Sequence, residues 1–331
     1  MGDLPVDFYQ NRGTLDHLKS IAAGIFARYG IDFTTAERLK GWSNVTWLAG
    51  GMVLRLSGRQ GDNRLRREVQ LASLLPPEVG YPPVLESAVT DGYEWCLSKE
   101  VRGKNLGEIW PTLDWDGRTE ALRQLWEKIL AVHTVGIAAA AGLARQQAWF
   151  NAADAAEAEA SMRGLVQQNI LTASQVDVLG EALRRFWETL PTATRVLNHG
   201  DLTIENALWH ADQVVSLLDF EFAVIAPAEL DLNELVKCAF APNESIDPLP
   251  DPGGAGLRRM RQVVADLARP VLAHPGGKDL LVGYAILLEL WMIEEWLEHP
   301  EGEGPIEQWQ PYRMLVSLAD GHHGYLAPIL A

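Results

Sequence analysis

Cysteine is nearly absent from this chain. Cys96 and Cys238 stand alone in 331 residues, without metal-ligand spacing, and read as buried thiols rather than as a disulfide or a zinc site. Basic residues are also scarce: 28 Lys and Arg face 44 Asp and Glu, a net charge of −16, which disfavours nucleic acid and anionic lipid as partners. No uninterrupted apolar stretch reaches the roughly 18 residues that a membrane-spanning helix needs. Met1-Gly2-Asp3-Leu4-Pro5 has neither the basic region nor the apolar core of a secretory leader, so the cytoplasm is the expected location. No internal repeat is visible, and the Ala-rich stretch from Ala138 to Ala160 is broken by Trp149 and Phe150 and reads as short helices with a turn. What remains is a chain with 47% hydrophobic residues, enough to build a core and fold alone.

The charge is unevenly spread. Residues 1–104 carry 13 Lys and Arg against 12 Asp and Glu, whereas residues 105–331 carry 15 against 32. The first third is about neutral and the rest is acidic, which either raises the local concentration of a cationic ligand or serves only solubility.

Periodicity divides the chain in the same place. Thr14 reads as an N-cap, and Leu15, Leu18, Ile21, Ala22, Ile25 and Phe26 recur at helical spacing up to Gly30. Strand-like pieces follow at 36–39, 45–49 and 52–56, then an amphipathic helix from Asn63 to Leu75, closed by Pro76-Pro77, then strands at 84–89 and 94–97. From Arg118 onward helices are expected at 118–136, 174–189, 257–270 and 278–298. The Pro- and Gly-rich segment from Ala241 to Gly256 reads as a long loop.

The most informative run is Leu197-Asn198-His199-Gly200-Asp201-Leu202-Thr203-Ile204-Glu205-Asn206, with Asp219 thirteen residues after Asn206. Between them, Ala207-Leu208-Trp209 and 214–218 are short apolar strands around a turn at 210–213, a hairpin that returns Asp219 to Asn206. This combination reads as a phosphoryl-transfer site, because that reaction needs few side chains, placed well: a carboxylate beside the attacking hydroxyl, and hard oxygen ligands for the metal that bridges the phosphates. Asp201 is the expected catalytic base, and Asn206 and Asp219 the expected ligands of Mg²⁺. Alternation along a strand would turn Glu221 to the same side as Asp219, as a candidate substrate contact. His199 is expected to scaffold the loop, and Asp231, with Glu234 three positions on, to form a capping box.

His199-Gly200-Asp201 with Asn206 and Asp219 resembles the aminoglycoside phosphotransferase and choline kinase superfamily, and Gly200, where protein kinases usually have Arg, favours that small-molecule branch. The resemblance spans roughly residues 30 to 320. It implies an α+β, bilobal protein-kinase-like fold, with a small β-rich nucleotide lobe at 1–104 that carries an extra N-terminal helix, and a larger, mainly helical catalytic and acceptor lobe at 105–331. It implies ATP or GTP as phosphate donor. The segment from Leu39 to Thr46 resembles the family's nucleotide loop, with Gly41, Ser43 and Asn44 at the phosphates. Arg55 stands where a Lys would be expected, with Glu68 as its partner carboxylate; Arg keeps the charge but is larger and not equivalent. Leu97 to Gly103 matches the lobe connection, with Glu100 and Val101 offering backbone groups to the nucleobase.

The acceptor region is expected in the aromatic and acidic C-terminal part: Trp291, Trp296 and Trp309 with Glu289, Glu294, Glu295, Glu298, Glu301, Glu303 and Glu307, of which Trp291, Glu294, Glu295 and Glu298 are the chosen contacts for an amine-bearing, cationic small molecule. The same composition also fits a helix with aromatic residues inside and glutamates outside. The function expected is phosphate transfer to a hydroxyl of an antibiotic-like acceptor, with no protein partner implied. The rival readings are a metabolic kinase for choline, homoserine or a sugar, and a catalytically silent nucleotide-binding protein.

Overall fold

The computed structural model describes residues 12–39, 44–241, 249, 251, 253–298 and 304–330. Gly41 and Ser43 of the expected nucleotide loop lie outside the described residues, as do most of the Pro-rich segment near 250 and both Glu301 and Glu303.

The first helix, α1 (Arg12–Arg28), packs on an antiparallel sheet with strand order β1-β2-β3-β5-β4. Its strands are β1 (Glu37–Leu39), β2 (Asn44–Ala49), β3 (Met52–Ser57), β4 (Val84–Thr90) and β5 (Tyr93–Lys99). Thr14 lies inside α1 rather than at its cap. Leu18, Ile21, Ala22, Ile25 and Phe26 meet Val45, Trp47, Leu54, Leu56, Trp95 and Leu97 in a small core of their own. Because side chains alternate along a strand, Leu54 and Leu56 enter that core and Arg55 points to the opposite face. On that face lies α2 (Arg64–Ala72), where Leu65, Glu68 and Leu71 are buried.

After β5 the chain crosses to a mainly helical lobe. Its long helices are α3 (Trp115–His133), α4 (Ala155–Gln167), α5 (Ala173–Thr189), α6 (Glu229–Phe240), α7 (Ala255–Val271), α8 (Gly277–Glu298) and α9 (Gln310–Ala319). These share one large core that includes Leu122, Trp126, Phe186, Leu232, Tyr284 and Leu315. Two small sheets carry the site. Strands β6 (Lys104–Asn105), β8 (Ala207–His210) and β9 (Gln213–Leu217) form one, and β7 (Val196–Asn198) pairs with β10 (Val224–Ala226) in the other. Ala211 and Asp212 make the two-residue turn between β8 and β9 with positive φ (49° and 59°), the geometry that matches the twist of a tight hairpin. Among the described residues no helix is long and apolar enough to cross a membrane.

Candidate active site

Asp201 sits between β7 and β8 on a loop that is anchored from below. The Asp231 carboxylate, on α6, accepts the backbone N–H groups of His199 (2.9 Å) and Gly200 (3.0 Å), and lies 3.1 Å from His133 Nε2. One turn further along α6, Glu234 accepts the N–H of Leu202. The capping box expected of Asp231 and Glu234 is therefore corrected: α6 begins at Glu229, so both residues lie within the helix and their side chains serve the loop instead. Gly200 has φ +80°, and a Cβ there would come within 2.3 Å of the Phe222 carbonyl oxygen, which explains glycine where a larger residue would force the loop apart. His199 is fully buried; its Nε2 donates to the Leu218 carbonyl (2.8 Å), and its ring lies 4.5 Å from that of Phe220.

Asn206 Nδ2 donates to both the carbonyl (2.9 Å) and the carboxylate Oδ2 (3.1 Å) of Asp201, which leaves the amide oxygen as an available ligand. The Leu218 N–H donates to the Asn206 carbonyl (2.9 Å), so the hairpin brings Asp219 back beside the loop. Asp219 itself is in the left-handed region (φ +63°) and starts a 3₁₀ turn, Phe220–Phe222. That turn overrides the strand alternation expected for Glu221, whose side chain is nonetheless buried near Asp219, 3.6 Å from Arg64 Nη1. Burial pushes the Asp201 carboxyl up to about 6 and that of Glu221 up to about 7, and the charge of Asp219 adds to both shifts. Asp219 is also raised, chiefly by burial, against the pull of Arg55.

Arg55 joins the two lobes. Its Nη1 meets Glu68 at 2.7 Å and its Nη2 meets Asp219 at 3.2 Å. Glu68, 1% exposed, also accepts the Tyr81 hydroxyl (2.8 Å) and the Phe220 N–H (3.3 Å), so this is an interior hub rather than a surface ion pair. Asn44 opens β2, opposite Ser57. At the lobe connection the Glu100 N–H is spent on the Gly51 carbonyl (2.9 Å).

The expected acceptor residues divide. Trp291 is T-packed against Trp149 (4.4 Å between rings), and Trp149 donates its indole N–H to the Gly200 carbonyl (2.9 Å), so an aromatic wall is tied to the loop one residue before Asp201. Glu294 accepts from Ser161, Glu295 is half-buried and Glu298 is exposed at the end of α8. Glu289, expected on the acidic surface, is instead fully buried and paired with Lys237 at 2.8 Å. Trp149 and Phe222 were missed in the sequence; the only signal was for Trp149, which with Phe150 interrupts an Ala-rich run.

The donor set suits Mg²⁺. Asn206 offers an oxygen held in place by its amide nitrogen and Asp219 offers a carboxylate, a pair of hard ligands that leaves coordination positions for water and phosphate. Among the described residues there is no cluster of three or more His, Cys, Asp or Glu that would favour a closed protein cage.

The phosphotransferase enzyme family model matches residues 34–270. No curated protein matches the sequence. Among solved structures, aminoglycoside 2′-phosphotransferase-IIIa in its GDP complex superposes with TM-score 0.64 at 17% identity, over 95% of this chain and 99% of that one. The GDP and kanamycin complex of APH(2")-IIia gives 0.63 at 20% identity, over 92% and 99%. A thermostable mutant of aminoglycoside phosphotransferase APH(4)-Ia, in ternary complex with AMP-PNP and hygromycin B, gives 0.61 at 13% identity, again over 92% and 99%. With a kinase-like fold, a loop that carries Asp201 beside Asn206 and Asp219, and a family match over most of its length, this chain belongs to the phosphotransferase enzyme family.

Proposed function

We propose that the protein transfers the γ-phosphate of ATP or GTP to a hydroxyl of an antibiotic-like small molecule, in the cytoplasm. The observation that carries this reading is the triad of Asp201, Asn206 and Asp219, brought together by the β8–β9 hairpin and tied to the small lobe through Arg55. The solved relatives hold GDP or AMP-PNP, and two hold kanamycin or hygromycin B, which supports both the donor and the acceptor class.

In this reading Asp201 accepts a hydrogen bond from the acceptor hydroxyl and orients its oxygen toward the γ-phosphorus, with its raised pKa fitting a group that takes a proton late in transfer. Asn206 and Asp219 would hold Mg²⁺, which neutralises phosphate charge when bound. Arg55 grips the phosphates with its guanidinium, oriented by Glu68. Asn44, at the start of β2, would meet the phosphates, as the sequence also suggests for Gly41 and Ser43. At the lobe connection the Glu100 carbonyl and the backbone of Val101 face the nucleobase, since the Glu100 N–H is already used. The lobes divide near residue 104, after β5 has ended at Lys99 and where β6 (Lys104–Asn105) begins to pair with β8. An amine on the acceptor would meet Glu294, Glu295 and Glu298 beyond Trp291, and Glu221 lies close enough to Asp219 to touch the acceptor or the metal shell.

The test is an acceptor screen read as a mass gain of one phosphate with wild type and Asp201→Asn. An aminoglycoside or other natural product phosphorylated by wild type alone supports the reading; turnover of nucleotide with no acceptor modified across the panel rejects it.

A further inference from the structure

The wall beside Asp201 has a positive end. Arg145 stacks its guanidinium 5.4 Å from the centre of the Phe222 ring, and Phe222 in turn lies 5.5 Å from the ring of Trp149. Its position is fixed by backbone pairing, since the Arg145 N–H donates to the Ala223 carbonyl (2.8 Å) and its own carbonyl accepts from Ile225 (3.1 Å). Arg67 comes to the same turn from α2: its Nη2 donates to the Glu221 carbonyl (3.2 Å), while its Nε is buried without a hydrogen-bond partner. Arg64, the third guanidinium here, already donates from Nη2 (2.7 Å) and Nε (2.9 Å) to Asp62 Oδ2. Among the described residues Arg145 has no carboxylate within ion-pair distance, and burial together with the charges of Arg67 and Arg64 pushes its guanidinium down. Asp62 answers the charge of Arg64, and Glu221 is the carboxylate whose charge acts on Arg145, shared with Arg64.

Two cations therefore crowd a half-exposed aromatic surface, two or three residues past Asp219, with one shared carboxylate between them. That arrangement is unfavourable unless an anion completes it. We infer that Arg145, supported by Arg67, is a specificity-determining residue that binds an anionic group, a carboxylate or phosphate, on the acceptor. The acceptor lies along Phe222, Trp149 and Trp291 with its flat or apolar part on the rings. It presents its anionic group to Arg145, and any amine to the glutamates at the far end. This rests on the phosphotransferase reading and, within it, favours natural-product acceptors that carry an anionic group over aminoglycosides, which carry none.

The probe pair is 4-(hydroxymethyl)benzoate and its methyl ester, which share the ring and the hydroxyl and differ in the charge. Binding to the full-length protein is read by tryptophan fluorescence and calorimetry, at saturating Mg²⁺ and AMP-PNP. Wild type should bind the acid at least about tenfold tighter than the ester, as expected for a charge-assisted contact. Arg145→Gln should abolish that preference and leave AMP-PNP affinity within about twofold, with Arg145→Lys restoring part of it. Equal binding of acid and ester by wild type overturns the inference. So does a parallel loss of AMP-PNP affinity in Arg145→Gln, which would assign the cations to the phosphates of the nucleotide. Wild type that binds no AMP-PNP at all would instead strike the phosphotransferase reading itself.

Discussion

The two arms of the site are held in different ways. The loop that carries Asp201 is gripped from within its own lobe: Asp231 and Glu234, both buried on α6, accept the N–H groups of His199, Gly200 and Leu202. The turn that carries Asp219 is gripped across the cleft by guanidinium groups, with Arg55 on Asp219, Arg64 on Glu221 and Arg67 on the Glu221 carbonyl. The first arm is a preformed support, fixed as the large core forms. The second rests on contacts between the lobes, and these are in part open to solvent; Asp219 retains 31% of its side-chain exposure. Damage to the loop should therefore appear in turnover and stability, and damage to the turn in nucleotide binding.

Asp201→Asn breaks the comparison hardest. The loop should keep its shape, since its anchors are backbone groups, and turnover should fall by about two to four decades with nucleotide affinity little changed. Steady-state kinetics beside nucleotide titration checks this, and wild-type turnover would remove Asp201 from the mechanism. Asp231→Ala should act on the same arm through stability. Two buried backbone N–H groups and His133 lose their acceptor, at a cost of about 3 kcal/mol, read as a lower denaturant midpoint. A midpoint equal to wild type would mean that the loop is held elsewhere.

On the other arm, Arg55→Ala should raise the nucleotide KM by about ten- to hundredfold, the size of a lost charge-assisted contact, with Arg55→Lys intermediate. Asp219→Ala should make nucleotide affinity insensitive to Mg²⁺ in calorimetry. Retained metal dependence would place the ion on other residues.

The candidate site was more legible in the sequence than the groups that hold it. Asp201, Asn206 and Asp219 stand out because transfer of a phosphoryl group demands those residue types at that spacing, and the apolar strands between them showed a hairpin. Asp231 and Glu234 did not stand out as loop anchors, because the same two letters make a sound capping box, and only the start of α6 at Glu229 and the bonds of both carboxylates to the loop decide between the roles. Arg145, Trp149 and Phe222 meet across more than seventy residues of chain, a distance over which periodicity carries no signal. The strand pattern failed at Glu221 because the backbone turns at Asp219 instead of continuing extended. Charge counting had a similar fault: Glu221, Glu229, Asp231, Glu234 and Glu289 are all buried, so the acidity of residues 105–331 overstates the surface that a cationic ligand would meet.

Glu234 offers a pH test of the buried loop support. Burial first, and the nearby charge of Asp201 second, raise its pKa well above the ordinary carboxylate value. A group whose folded pKa is raised holds its proton more tightly in the folded state. Its contribution is thus most favourable below the unfolded pKa and is lost as pH rises toward the folded one. Glu234→Gln keeps the acceptor for Leu202 and removes this dependence, so the variant should lose less stability than wild type between pH 5 and pH 8, measured as the change in Tm. An identical pH profile would show that Glu234 is not the titrating group.

The smallest effect concerns the outer rim. With Glu289 in the interior, Glu294, Glu295 and Glu298 are the carboxylates at the C-terminal end of α8 left to meet a cationic end of the acceptor, and Glu294 is already engaged by Ser161. Exposed charges attract over roughly 10 Å at 0.1 M salt, and each contact with water on one side contributes little. Replacing all three by Gln should therefore raise the KM of an amine-bearing acceptor by about three- to tenfold, leave the nucleotide KM unchanged and alter turnover at saturation less. Added salt should shrink the difference between variant and wild type. The contrast with Arg145 is then direct: loss of the rim should weaken capture of amines in a salt-dependent way, while loss of Arg145 should erase discrimination between an acid and its ester. If the triple variant leaves the KM of every amine-bearing acceptor unchanged, these glutamates are a solvated helix face, and recognition of the acceptor belongs to the aromatic wall and its positive end.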